Sequence, residues 1–338
     1  MIAVPIFYRL WSFRPRKRLA EEHLRHWRNG LHGLWGAPSA MTHFPVTALR
    51  SVDLESPDIR RSEHFYTSIW GLDLVTRHEG VTYLRASGID HHVVTLRQGD
   101  RPALRAVTFR LHSDAEFEVI AAASQQHGAT LLDGPVKNSG PDGGTIMTIR
   151  APGGGLLRFI HEDIRHAASL PSANRPTRLA HVNLNATDVD GAAAFYARAL
   201  GFRLTDRTKA MAFVRCNDDH HAIVIADAPV NGLNHVAFMM PDLEAVMRGS
   251  GRVIDAGFPI AWGVGRHGPG DNVFAYFIDP DRIVIEYTAE VLQVDEHYVV
   301  RGPSEWVWPP GRTDHWGIAP PKADHVKAAQ TAVPYADA

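Results

Sequence analysis

Leu179-Ala180-His181-Val182-Asn183-Leu184 repeats the pattern of Leu49-Arg50-Ser51-Val52-Asp53-Leu54, and this recurrence decides the fold. Working outward, each segment leads into a helix. The first is predicted over about 57–70, with Ser56 as N-cap, Pro57 at the first helical position and Gly71 past the end. The second is predicted over about 188–200, with Thr187 as N-cap and Gly201 past the end. Phe65-Tyr66 and Phe195-Tyr196 fall at the same place in the two helices. Leu84-Arg85 before His91-His92 matches Val214-Arg215 before His220-His221. Leu104-Arg105-Ala106-Val107-Thr108-Phe109 matches Leu233-Asn234-His235-Val236-Ala237-Phe238, and Leu156-Leu157-Arg158-Phe159 matches Val284-Ile285-Glu286-Tyr287. The chain therefore holds two copies of one unit. Each copy divides again into a strand, a helix ending at or near Gly and three strands, repeated. The second helices are predicted over about 114–126 and 242–248, and short alternating strands separate them. The fold class is α+β, built from four βαβββ modules, two per domain.

The 338 residues carry 35 Lys+Arg against 37 Asp+Glu, a formal charge of −2, which gives no electrostatic reason for a nucleic-acid or anionic-membrane partner. No apolar run reaches the ~18 residues a membrane span needs. Cys216 is the one cysteine, so an internal disulfide and a multi-Cys zinc site are excluded. Twenty histidines stand out, and imidazole is the commonest metal ligand and acid/base near neutral pH. A cytoplasmic protein with a His/carboxylate metal site is the expectation. Residues 1–43 differ from the rest. Arg14-Pro15-Arg16-Lys17-Arg18 is followed by no apolar segment, so it is no secretory signal, and Glu21-Glu22 speaks against a transit peptide. This stretch is expected to be a poorly packed extension, and sequencing the N-terminus of the native protein decides whether it is retained. The domains are then 44–163, without a metal site, and 179–290, catalytic. Residues 164–178 form a linker, and 291–338 a Pro- and aromatic-rich tail without a helical or strand period.

The differences between the copies locate the chemistry. His181 stands where the first copy has Ser51, His235 where it has Ala106, and Glu286 where it has Arg158. Two histidines and one carboxylate with open positions make the facial triad of non-haem Fe(II) oxygenases. Ala180, Val182 and Leu184 share one strand face, so His181 and Asn183 point to the other. The stretch from Tyr276 through Asp279-Pro280-Asp281 to Glu286 reads as a hairpin that places Tyr276 beside Glu286. A lone strand histidine is ordinarily a hydrogen-bonded polar residue, but three coincidences at matched positions point to a metal. The residues alone leave His221 open, because the first copy also has a His pair.

These segments, together with Gly265-Arg266-His267-Gly268-Pro269-Gly270-Asp271-Asn272, resemble the type I extradiol ring-cleavage dioxygenases of the vicinal oxygen chelate superfamily, over about residues 44–290. The resemblance implies two barrel-like domains of paired modules and an Fe(II) cofactor held by His181, His235 and Glu286. It implies an acid/base role for His221, a supporting tyrosine in Tyr276, and in His267 a hydrogen-bonding partner near the substrate oxygen. Asn183, Phe213 and Trp262 fall at pocket positions. Relatives that cleave homoprotocatechuate carry an arginine for the substrate's carboxylate where this chain has Trp262, so a neutral or apolar ring substituent is expected. The implied reaction cleaves a catechol-type ring next to the diol with both atoms of O₂, in aromatic-compound catabolism. The implied partners are the catechol and O₂, and the implied assembly is a homo-oligomer. Two other readings share the fold: a metal-dependent isomerase, lyase or transferase, and a non-catalytic protein that binds an aromatic ligand. For the Trp306-Val307-Trp308 tail, a lid over the pocket and an exterior wrap are both open.

Overall fold

The computed structural model describes residues 44–168 and 174–337; the extension expected over 1–43 lies outside the described residues. The first copy contains β1 (Val46–Ser56), β2 (Asp73–His78), β3 (Val81–Arg85), β4 (Val94–Gln98), β5 (Ala103–Leu111), β6 (Thr130–Lys137), β7 (Thr145–Arg150) and β8 (Leu156–His161). They form one sheet in the order β2-β3-β4-β1-β5-β8-β7-β6. The second copy contains β9 (Arg178–Ala186), β10 (Arg203–Arg207), β11 (Met211–Arg215), β12 (Ile223–Asp227), β13 (Gly232–Met239), β14 (Trp262–Arg266), β15 (Val273–Ile278) and β16 (Val284–Ala289). Its order, β10-β11-β12-β9-β13-β16-β15-β14, is the same arrangement. Within a module the first and last strands pair in parallel, and the two modules join antiparallel along β1–β5 or β9–β13. The registers agree residue by residue. Asp53 faces Ala106 as Asn183 faces His235, and Thr108 faces Arg158 as Ala237 faces Glu286. Neither sheet has a ladder between its two edge strands among the described residues, so each is an open, barrel-like sheet.

The helices are α1 (Ile59–His64), which continues into a π-helical turn (Phe65–Trp70), α2 (Ala115–Gln126), α3 (Val189–Leu200), α4 (Leu243–Asp255) and α5 (Asp324–Ala329). Their starts correct the expected caps by one or two residues. Asp58, not Ser56, caps α1 by accepting from Arg61 N at 3.1 Å, while Ser56 Oγ is taken by Asp58 N. Asp188, not Thr187, caps α3 by accepting from Gly191 N at 2.9 Å, while Thr187 N donates to Asn231 Oδ1. α4 runs past the expected end through Gly249-Ser250-Gly251. Gly249 serves close packing there, because a Cβ at this position would lie 2.9 Å from Tyr287 Cε2. No helix of the described residues is long and apolar enough to cross a membrane.

The shared Phe-Tyr pairs hold the copies together. Tyr66 of the first copy approaches Phe238 of the second at 6.4 Å between ring centroids, and Tyr196 approaches Phe109 at 6.5 Å, the reciprocal contact. Trp70, fully buried, stacks on Tyr287 at 3.7 Å, and Tyr287 Oη donates to its carbonyl. The tail is not a free wrap. Leu292 N donates to Gly270 O, Arg207 N to Arg301 O, His315 N to Arg266 O, and Leu233 N to Val333 O, all between 2.7 and 2.9 Å. It contains α5, which the absence of a periodic pattern had hidden.

Candidate active site

The second sheet brings the three expected ligands to one point. His181 on β9, His235 on β13 and Glu286 on β16 lie on adjacent strands and are all buried. His181 Nε2 and His235 Nε2 are 3.1 Å apart, and Glu286 Oε2 is 3.3 Å from the first and 3.1 Å from the second. Ligand bonds of about 2.1 Å at right angles place donors about 3.0 Å apart, so the group has the separations a metal requires. Its orphans agree. Glu286 Oε2 has no hydrogen-bond partner although buried, and two imidazole nitrogens converge where only one proton fits between them. Burial alone would raise the Glu286 pKa, but the imidazoles beside it hold it well below the usual carboxylate range. Burial lowers His235 to about 4 against the pull of Glu286, which leaves a neutral imidazole of the form that can ligate a metal. Behind it, His235 Nδ1 donates to Asn234 Oδ1 at 2.9 Å, which fixes the tautomer that turns Nε2 toward the cluster.

The first copy shows why its matched positions cannot do this. Arg158 donates to Asp53, and Arg50, fully buried, is held by Asp142 at 2.6 Å and Asp163 at 3.2 Å. Burial would raise the Asp53 pKa, but Arg158, Arg97 and Thr95 keep it lowered. A guanidinium fills the place of the cation.

His221 stands beside the cluster, its ring centroid 4.5 Å from that of His181. Burial and the neighbouring imidazoles lower its pKa well below 6.5, so it is neutral. Its Nδ1 meets His220 Nδ1 at 3.1 Å, and His220 Nε2 meets Asp206 Oδ2 at 2.9 Å. Asp206 also accepts from Tyr298 Oη at 3.2 Å and from Arg301 N at 3.0 Å. This network assigns the tautomers: His220 Nε2–H donates to the carboxylate, His221 Nδ1–H donates to His220, and His221 Nε2 keeps its lone pair. The first copy repeats the contact, with His91 Nδ1 and His92 Nδ1 3.1 Å apart, so the pair belongs to the module. The difference is what the second imidazole faces. His92 meets Arg50 at 2.6 Å, whereas His221 meets the cluster.

Tyr276 is paired across the strands with Glu286, as the hairpin predicted. Its Oη meets His267 Nε2 at 3.0 Å. Burial, with Glu286 nearby, raises its pKa well above 10, so the phenol is a neutral donor. His267 stacks on Phe274 at 4.0 Å, and burial lowers it to about 3. Asn183 is buried with an unpartnered Oδ1. Phe213 lies edge-on to His221 at 5.4 Å, and Trp262 lies 5.1 Å from Tyr276. All nine expected site residues thus belong to one neighbourhood. A separate cavity of about 440 Å³ between the two copies is lined by none of them.

Sequence reading missed the groups that support this set. Asn234 was visible as the residue before His235, and Asn272, which donates to Thr288 Oγ1 at 2.7 Å and lies 3.5 Å from Glu286 Oε1, was visible in the Gly-Arg-His segment. His220 was visible only as half of a pair. Asp206, Gln330 and Lys322 carried no signal, because distant segments bring them in.

A curved, mixed eight-stranded sheet with a His/His/carboxylate cluster on adjacent strands defines a metal-site protein of the vicinal oxygen chelate class. The comparisons agree. The family model described as Glyoxalase/Bleomycin resistance protein/Dioxygenase superfamily matches residues 178–287. Metapyrocatechase 2 of Cupriavidus necator is 28% identical over 301 residues, 81% of this chain and 88% of that protein. The Mn(II)-bound glyoxalase from Novosphingobium aromaticivorans superimposes with a TM-score of 0.78 at 30% identity, over 87% of this chain and 96% of that one. The substrate complex of homoprotocatechuate 2,3-dioxygenase from Brevibacterium fuscum shares the fold, with a TM-score of 0.74 at 23% identity over 86% and 94%. The chain belongs to the glyoxalase/bleomycin resistance protein/dioxygenase superfamily.

Proposed function

We propose that the protein is an extradiol dioxygenase of aromatic-compound catabolism, opening a catechol-type ring beside the diol and placing both atoms of O₂ in the product. One observation carries the reading: His181, His235 and Glu286 converge within 3.3 Å of one another beside the His221–His220 pair, all within one domain. These three residues would hold a divalent metal, and Fe(II) is the one we propose. When bound, such a metal supplies Lewis acidity to the two diol oxygens and a position for O₂. The ring itself supplies the electrons that reduce O₂, so no external reductant is required.

The chain's own groups orient the diol and move protons. His221 Nε2, bare in the assigned tautomer, accepts a proton as the diol ionises and returns it when the O–O bond breaks. Asp206 and His220 fix that tautomer and stabilise the imidazolium that forms. Tyr276 Oη and His267 supply hydrogen bonds on the opposite side, near Glu286. Asn183 Oδ1 is free to accept from the substrate, and Phe213 and Trp262 exclude water from the ring's position. The reading includes a cytoplasmic homo-oligomer, testable by light scattering and cell fractionation.

The test is purification without oxygen, loading with Fe(II), then oxygen uptake and absorbance with a panel of substituted catechols. One O₂ per catechol and a yellow semialdehyde-type product are expected. His221→Phe should keep its metal and lose most turnover; normal turnover would remove its role. The likeness to a Mn(II)-bound glyoxalase favours, as a second reading, an isomerase, lyase or transferase at the same cluster. No uptake with any catechol, and activity with another metal, would favour it.

A further inference from the structure

The tail passes directly over the wall formed by Trp262 and Tyr276. Trp262 Nε1 donates to Pro320 O at 2.8 Å, and two residues later the Lys322 ammonium lies 4.3 Å from the Trp262 ring centroid and 5.3 Å from that of Tyr276. Lys322 Nζ donates one hydrogen bond, to Gln330 Oε1 at 2.9 Å. Gln330 Nε2 donates in turn to Asn234 Oδ1 at 2.6 Å, the oxygen that accepts from His235 Nδ1. One amide therefore fixes both the ammonium and the Asn234 side chain that holds a cluster histidine. Among the described residues the remaining two N–H groups have no acceptor, and no carboxylate lies within ion-pair distance of Nζ. Burial pulls the Lys322 pKa down to about 8 while Glu286 pulls it upward, so it stays mainly charged at neutral pH. Its charge is felt at His235 and His267.

A partly desolvated cation with no carboxylate of the described residues in direct ion-pair contact is costly to hold, and the cost is recovered when an anion arrives. Resting on the dioxygenase reading above, we propose that Lys322 is a specificity-determining residue that selects catechols carrying an anionic ring substituent, a carboxylate on the ring or on a short arm, held over the Trp262 and Tyr276 side by its free N–H groups. This reverses the neutral substituent expected from Trp262. The strand lacks a cation at that place, and the tail delivers one from sixty residues away. Lys322 makes and breaks no bond, and it discriminates by charge.

The test compares 3,4-dihydroxyphenylacetate with 4-ethylcatechol, which differ in a carboxylate against a methyl. Fe(II)-loaded wild type, Lys322→Met and Lys322→Arg are used. Dissociation constants are measured calorimetrically without oxygen, and kcat/KM by oxygen uptake. The wild type should favour the carboxylate by about tenfold or more, the worth of one charge-assisted hydrogen bond. That ratio should collapse toward one in Lys322→Met and persist in Lys322→Arg. A ratio near one in the wild type, a ratio unchanged in Lys322→Met, or equal losses for both ligands would overturn the assignment. No binding and no oxygen uptake with either of these two, while another catechol of the panel is turned over, would overturn the assignment; no uptake with any catechol would overturn the dioxygenase reading itself.

Discussion

Gly270→Ala is expected to disable His221 without touching a cluster residue. Gly270 has φ +83°, and a Cβ there would stand 2.7 Å from His221 Cε1, 3.0 Å from Nδ1 and 3.1 Å from Asn272 Oδ1. Ordinary contact begins at 3.4 Å, so the imidazole must move by roughly 0.7 Å. It has little room. His220 Nδ1 is 3.1 Å away on one side, and the His181 and Phe213 rings are at 4.5 and 5.4 Å on others. A misplacement of about 1 Å costs on the order of 10²-fold in rate, and full loss of general acid–base help costs about 10²–10⁴-fold. We expect kcat to fall about 10²-fold. The left-handed backbone adds about 1–2 kcal/mol of destabilisation, too little by itself to unfold a domain of this size. The assay is steady-state oxygen uptake with the best catechol, alongside metal analysis and thermal unfolding. A variant with full metal content and kcat within about threefold of wild type would refute the claim that His221 must hold this position.

Glu286→Ala should abolish stoichiometric metal binding, because it removes the only anionic member of the cluster; retention of one tightly bound metal per chain by elemental analysis would contradict the ligand set. Trp70→Ala should cost about 3–5 kcal/mol in urea unfolding, since it empties a fully buried slot between the copies, stacked on Tyr287 and edge-on to Phe238 and Phe277; a loss under about 1 kcal/mol would mean that the copies are not held there. Burial and the neighbouring Asp281 raise Asp279 from 3.8 to about 7, so between these values the folded state binds the extra proton and stability falls as pH rises through the window. Asp279→Asn keeps the Oδ1 acceptor for Asp281 N and Ile283 N and should flatten the decline in melting temperature from pH 5 to pH 8; the same slope in both proteins would exclude Asp279 as its source.

The site was legible in the sequence where chemistry replaced a matched residue within a repeated strand. Ser51, Ala106 and Arg158 supply the background against which His181, His235 and Glu286 stand out, and the ladder registers within the two copies match as the spacing required. Tyr276 was equally legible, because a short hairpin fixes its partner locally. The helix caps were misread by a residue or two, because competing Ser, Thr and Asp side chains stand side by side and only backbone geometry chooses among them. The end of α4 was misread because Gly249 serves a contact with Tyr287 rather than a turn.

By itself, then, the sequence determined the modular fold, the doubling, and which half carries the His/His/Glu cluster, since all three follow from periodicity and substitution along one strand at a time. Tertiary structure alone decided what surrounds that cluster. Asp206 reaches His220 across the β10–β12 region, and Gln330 and Lys322 arrive on a tail with no period of its own, pinned to strands by scattered backbone hydrogen bonds. Strand pairing repeats a pattern that can be read in one dimension, but a long-range contact by an irregular segment leaves no trace in the order of residues. The charge beside Trp262 and Tyr276 therefore became visible only once the chain had closed over it.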